Sequence, residues 1–376
     1  MKTRAAVLYE MGLPPPYSDS TPLSIEALEL TAPSDGEVLV QIVAAGLCHS
    51  DLSVINGSRP RVMPMVLGHE ASGIIREVGS SVPDLKEGDH VVFSYVPVCG
   101  RCPPCTTGRA SLCEPGGKAN TEGSLLTGRR HFHGRNGREL HHHLGVSAFS
   151  QFTVAAWESL VKIDPSVPLD KAASFGCAVV TGVGAVMNTA KVASGTAVAV
   201  FGLGGVGLSA VMGAKAVGAY PIIGVDMLAA KLDLAKRAGA SHTVNAAVQD
   251  PVEAVRNLSH GGVTVAFEAV GNEKVLAQAY AATHRGEKTV AIGLPHHSRE
   301  VSIPAVSLVA EERTLMGSYM GSAVPKRDVP RFIKMYQSGL LPVDLLYSRT
   351  IALDQVNEAF DTLFQGSVVR QVVSFE

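Results

Sequence analysis

The chain has 376 residues, 46% hydrophobic and 18% charged, which is ordinary globular composition and enough length for two domains. A formal net charge of −2 excludes the strong field that would draw it to nucleic acid or an anionic membrane, so small-molecule partners are expected. The opening MKTRAAVLYE has no long apolar run and no small-residue cleavage site; no secretory signal is expected, and a cytoplasmic setting is.

Residues 1–178 have the texture of a mainly β domain, with short alternating runs such as 37–44 and 73–78 set between Gly, Pro and Asp turns. The segment 116–145, rich in Gly, Arg and His, reads as a long surface loop. Two windows, 172–190 and 197–214, carry no charge and approach the length of a membrane span. Their glycines, with Thr181, Asn188 and Thr189 in the first, mark them as buried elements of a soluble core.

Near residue 179 the pattern changes. An apolar strand at 197–201 runs into a Gly-rich turn and a helix to Val217. Another strand, 222–225, ends at Asp226 and is followed by a helix at 231–238 closed by Gly239. Strand signals recur at 263–268 and 288–293. Strands alternating with helices imply an α/β unit, a doubly wound parallel sheet of the Rossmann kind, over 179–321. The tail 322–376, with helices at 329–337 and 354–364 and a strand at 368–374, is expected to return to the first domain.

The strand at 197–201 leads into Gly202-Leu203-Gly204-Gly205-Val206-Gly207. Alone this motif is weak, but here it has a strand before it, a helix after it, and Asp226 closing the next strand. Such glycines let the backbone approach a pyrophosphate at a helix N-terminus. A carboxylate at the Asp226 position accepts from a ribose 2′-hydroxyl and repels a 2′-phosphate, so NAD is expected rather than NADP.

Four of the six cysteines, Cys99, Cys102, Cys105 and Cys113, lie on one short loop. Tetrahedral zinc with four sulfur ligands, a closed structural site, is the favoured reading. Disulfides between cysteines so close in sequence would be strained, and the common iron–sulfur spacings differ. The other two, Cys48 and Cys177, together with His69 would give zinc three ligands and an open fourth position. Spacing alone does not bring these three together, and singly each reads more readily as a structural side chain than as a ligand.

With these residues in view, the chain resembles the zinc-dependent alcohol dehydrogenases of the medium-chain dehydrogenase/reductase superfamily, above all the longer, dimeric animal and plant type. The likeness covers nearly the whole chain. It is most specific at Cys48-His49-Ser50-Asp51, Gly68-His69-Glu70, the four-cysteine lobe (about 95–115), Leu144-Gly145, Phe149-Ser150-Gln151 and Phe201 through Leu208.

The resemblance implies a GroES-like catalytic domain over 1–178 and two zinc ions per chain, with Cys48, His69 and Cys177 holding the catalytic one. It makes Asp51 the carboxylate that orients the ligating imidazole and Glu70 an acidic neighbour of the metal. Thr181 and Val206 fall on positions packing against nicotinamide, Lys231 near the adenosine ribose, and His49 and Arg370 at the pyrophosphate. Tyr95, His143 and Leu144 match the substrate cleft. Ser50 matches the hydroxyl that takes the alcohol proton; where many members carry a further relay histidine, this chain has Ser53.

The implied activity is hydride transfer between a small alcohol or aldehyde and nicotinamide C4, in a homodimer. Rivals are a dehydrogenase of S-(hydroxymethyl)glutathione or of a polyol, and a catalytically inert NAD-binding zinc protein. The glutathione branch would carry an Arg near Gly117, which is absent here, although Arg129 and Arg130 stand close by.

Overall fold

The computed structural model describes residues 1–375, which fold as two units. The first takes Met1–Cys177, Val324–Pro330 and the chain from Tyr347 onward; the second takes Ala178–Ala323 and Arg331–Leu346. The tail is therefore not a single return to the first unit. Residues 331–346 stay with the second, because Phe332, Ile333, Leu341, Val343 and Leu346 are all buried there.

In the first unit the strand Glu37–Gly46 is central. Its alternation sends Val38, Val40 and Ile42 into one apolar core and Leu39 into another, as period-two geometry requires. Strand Lys2–Leu8 splits in the same way, Ala6 and Leu8 to one side, Ala5 and Val7 to the other. Strand 37–46 pairs antiparallel with Glu70–Val78, Phe152–Ala156 and Arg370–Ser374. Strands Lys2–Leu8, Leu23–Leu30, Phe132–His133, Glu139–His142 and Met65–Val66 close into a small barrel.

The segment 116–145 is not the loop its composition suggests. It contains much of a helix, Glu114–Glu122, and two of the barrel strands. Leu125, Phe132 and Leu140 are buried in the barrel core, while Arg135 and Arg138 between the two strands face solvent. The polar residues outnumber the apolar ones here, yet three well-spaced apolar side chains decide the fold.

The second unit is a six-stranded parallel sheet. Its order is His242–Asn245, Ile222–Asp226, Val198–Phe201, Val263–Glu268, Thr283–Ala291, Thr314–Gly317. This 3-2-1-4-5-6 arrangement is the doubly wound dinucleotide fold, in which ligands bind where strand order reverses. The charge-free windows form buried elements: helix Ala178–Gly184, strand Val198–Phe201 and most of helix Gly205–Ala216. Among the described residues no single helix is long and apolar enough to cross a membrane.

Candidate metal and dinucleotide sites

Sheet register assembles the first site. Gly46, the last residue of its strand, pairs with Glu70, the first of the next, and with Val372 on its other side. Cys48 and His69 lie just beyond the paired ends, so an antiparallel register brings them together. Cys177 follows the 3-10 turn Ala173–Gly176. The ligand atoms of Cys48, His69 and Cys177 all lie within 4.8 Å of one another, and all three residues are buried. Nε2 of His69 is 3.4 Å from Sγ of Cys177.

The other nitrogen of His69, Nδ1, is 3.0 Å from Oδ1 of Asp51, in the first turn of helix His49–Ile55. Asp51 is wholly buried. Burial opposes a charge on His69, but Asp51 and then Cys48 raise its pKa to about 10. Of the two thiols Cys48 is held well below the usual thiol range: the Cys177 thiol donates to it, and Arg370 and His69 add to the pull, against burial. Cys177, as donor, is raised. Two sulfurs and one imidazole nitrogen thus converge in a buried corner. The donor set fits zinc with three protein ligands and a fixed imidazole tautomer.

Glu70 and Arg370 form a buried pair beneath it, Oε1 to Nε 3.0 Å, with Arg370 also donating from Nη1 to the Leu47 carbonyl at 2.8 Å. Burial works against the guanidinium charge, yet Glu70, Cys48 and Cys177 hold its pKa above the usual range. The carboxylate fits only because residue 46 is glycine: a Cβ there would stand 2.2 Å from Glu70 Oε1.

The sulfurs of Cys99, Cys102, Cys105 and Cys113 likewise lie within 4.8 Å of one another, and no cysteine among the described residues is in a disulfide. The Cys99 amide donates to Cys113 Sγ at 3.3 Å. Burial raises Cys102, but amides of Cys105 and Glu114 outweigh it and bring the thiol to about 7; Cys105, desolvated and donating to Cys102, rises to about 12. Four converging sulfurs with amides directed at them suit a closed metal site.

In the second unit the strand ending at Phe201 turns at Gly202 (φ +90°) into helix Gly205–Ala216. A Cβ on Gly207 would lie 1.7 Å from the Gly202 carbonyl oxygen, so only glycine lets helix and turn close this tightly. Asp226 ends its strand, and its carboxylate accepts from the amides of Leu203, Met227 and Leu228 at 2.8, 2.8 and 3.1 Å. That fixes an acidic group beside the glycine turn. Thr181 lies in helix Ala178–Gly184, Val206 in the first turn of helix Gly205–Ala216, and Lys231 in helix Ala229–Ala238.

Other expected residues belong to the first unit. Ser50 and the exposed His49 open the helix after Cys48. Ser53 donates its hydroxyl to the His49 carbonyl at 2.8 Å. Tyr95 stands edge-on to His69 with ring centroids 5.8 Å apart. His143 and Leu144 are buried, and Nδ1 of His143 lies 3.2 Å from the Asp51 oxygen that meets His69. Sequence reasoning missed that last contact, as it missed the Glu70–Arg370 pair. It also missed a second buried cluster in which Glu37 meets His131 and Thr127.

Residues 34–165 match the family model of the alcohol dehydrogenase GroES-like domain, and 205–338 that of the zinc-binding dehydrogenases. The chain is 37% identical to the class-3 alcohol dehydrogenase of Cereibacter sphaeroides, with all of both chains covered. It is 36% identical, again over all of both, to the S-(hydroxymethyl)glutathione dehydrogenase of Paracoccus denitrificans. In structure it is similar to benzyl alcohol dehydrogenase from Acinetobacter calcoaceticus, with a TM-score of 0.92, 33% identity and full coverage of both. Full-length identity at this level, together with the metal-ligand cluster and the glycine turn, means that the chain belongs to the zinc-dependent alcohol dehydrogenase family.

Proposed function

We propose that this protein is an NAD-linked dehydrogenase that interconverts a small alcohol and its aldehyde. Cys48, His69 and Cys177 hold a catalytic zinc, and the four-cysteine lobe holds a second, structural one. The convergence of Cys48, His69 and Cys177 within 4.8 Å carries this reading. When bound, zinc supplies Lewis acidity toward the substrate oxygen, and NAD accepts hydride at nicotinamide C4.

The chain's own residues do the rest. Asp51 fixes the His69 tautomer, keeping Nε2 free to ligate. The Ser50 hydroxyl takes the alcohol proton at its Oγ. Its outer acceptor is water rather than residue 53, whose hydroxyl is bonded back to its own helix. The amides of the Gly202–Gly207 turn bind pyrophosphate, Asp226 binds the ribose hydroxyl, and Thr181, Val206 and Lys231 of the same unit contact the cofactor. Tyr95, His143 and Leu144 line the substrate position.

A glutathione adduct is the weaker substrate reading. Its carboxylates need a free cation, and both nearby arginines are engaged. Arg129 donates to the Asp35 carbonyl and Glu37, and Arg130 to the carbonyls of Gly123 and Glu122. An inert zinc protein would not need Cys48, His69 and Cys177 all in place.

A homodimer is supported by the edge strand Thr314–Gly317 and the adjacent helix Ala305–Ala310, where Val306 and Val309 are 70% and 81% exposed. Six unbridged cysteines suit a reducing, cytoplasmic setting. Steady-state turnover of graded primary and secondary alcohols with NAD, beside S-(hydroxymethyl)glutathione, tests the reading. Turnover of the adduct alone would transfer it to the glutathione branch.

A further inference from the structure

One oxygen of Asp51 meets three nitrogens. Its Oδ1 lies 3.0 Å from Nδ1 of His69, 3.2 Å from Nδ1 of His143 and 3.3 Å from the Gly68 amide. Both histidines are 1% exposed, their rings 5.5 Å apart and nearly perpendicular at 83°. The His143 approach is bent from the line of a strong hydrogen bond, so it acts chiefly as a directed N–H dipole on the carboxylate.

His143 is itself rigidly placed. Leu144 and Ser147, at φ +54° and +52°, fold a tight turn behind it, and the amides of Val146 and Ser147 donate to its carbonyl. The Ser147 hydroxyl accepts from the His143 amide and donates to the Val66 carbonyl, each at 2.8 Å. Val66 lies three residues before His69. Two routes, one through Asp51 and one through Ser147, thus tie His143 to the segment that carries the metal ligand.

We infer that His143 is a positioning residue for His69, acting through the shared Asp51 oxygen. A carboxylate with a single partner can turn about its Cβ–Cγ bond. With His143 and Gly68 converging on the same oxygen, that oxygen stays on His69 Nδ1, and Nε2 stays aimed at the two sulfurs. The inference rests on the reading of Cys48, His69 and Cys177 as a zinc site. The ligand atoms of Asp51, His69 and His143 also lie within 4.8 Å of one another. Hydrogen bonding is preferred to a metal ion there, because His69 would have to lose both ring protons to ligate on both sides.

The test follows zinc release from the full-length, zinc-loaded protein to a colorimetric chelator. The parent is compared with His143→Phe, which keeps ring volume without the nitrogen, and with His143→Asn, which restores an N–H near Nδ1. The four-cysteine lobe provides a second release phase as internal control. In His143→Phe the catalytic-site phase is expected to run about tenfold faster, with a changed d–d absorption band after cobalt substitution; His143→Asn stays within about threefold of the parent.

Release from His143→Phe at the parent rate would overturn the inference. So would a third metal ion per chain in the parent that His143→Phe lacks. Should His143→Phe lose the lobe phase as well, its fold is disturbed, and His143→Asn against His143→Gln decides: slow release in Asn and fast in Gln supports the role, equal rates reject it. A parent that binds only one zinc removes the underlying zinc reading, an outcome distinct from any of these.

Discussion

Glu70→Gln is the small substitution to which the first unit is expected to be most sensitive. The carboxylate and the Arg370 guanidinium are 3.0 Å apart, with side chains 0% and 5% exposed. At an effective dielectric of about 20 their attraction is about 5 to 6 kcal/mol. Neutralising one partner leaves a buried charge, because a guanidinium such as that of Arg370 keeps its proton even when buried. Breaking such pairs costs about 3–5 kcal/mol, and since the amide keeps the shape and one acceptor, about 3 kcal/mol is expected here.

The assay is thermal unfolding of zinc-loaded parent, Glu70→Gln, Arg370→Met and the double variant. A loss of that size lowers Tm by roughly 6–12 °C in a unit of 150–250 residues. The double variant should lose less than the sum of the singles, with a coupling of at least about 2 kcal/mol. Singles within about 0.5 kcal/mol of the parent, or a strictly additive double, would refute the buried pair.

Acid stability should depend on Glu37. Burial would raise its pKa, but hydrogen bonds from His131, Thr127 and Ser34 bring it from 4.5 to about 2. A depressed carboxylate stabilises the fold above its unfolded pKa and loses that stabilisation as pH falls toward the folded one, so about 3 kcal/mol should disappear between about pH 5 and 2. Glu37→Gln should flatten the acid limb of a denaturation series; an unchanged limb contradicts this. Asp226→Gly removes the group that repels a 2′-phosphate, so the NAD-to-NADP ratio of kcat/KM should fall by at least about tenfold. An unchanged ratio would reject that role. Cys102→Ser should lose about one zinc and lower Tm before it alters turnover per folded molecule; two retained zincs would contradict the lobe assignment.

How much of this was legible in the sequence follows from how local each feature is. The glycine turn, Asp226 and the parallel sheet were readable because strand, turn and helix succeed one another within about thirty residues. The four-cysteine lobe was readable for the same reason. Cys48, His69 and Cys177 were not, except through family resemblance, since their meeting depends on the Gly46 to Glu70 register and on a turn 108 residues beyond His69.

Composition misled at 116–145, where Gly, Arg and His hide the three buried side chains that make it part of the barrel. It also could not divide the tail, because helix Pro325–Gln337 runs from one unit into the other. Glu70 and Arg370 were each noticed separately; that they face one another across 300 residues is a property of the fold. The direction of the His143 ring, toward Asp51, is likewise set by the turn at 144–147.

Anomalous diffraction at the zinc edge, on crystals of protein that turns over alcohol with NAD, is the decisive experiment. Two peaks per chain are predicted, one among the four lobe sulfurs and one bonded to Cys48 Sγ, His69 Nε2 and Cys177 Sγ at about 2.0–2.3 Å. A single peak at the lobe in such active, zinc-replete protein would contradict the assignment of the catalytic metal.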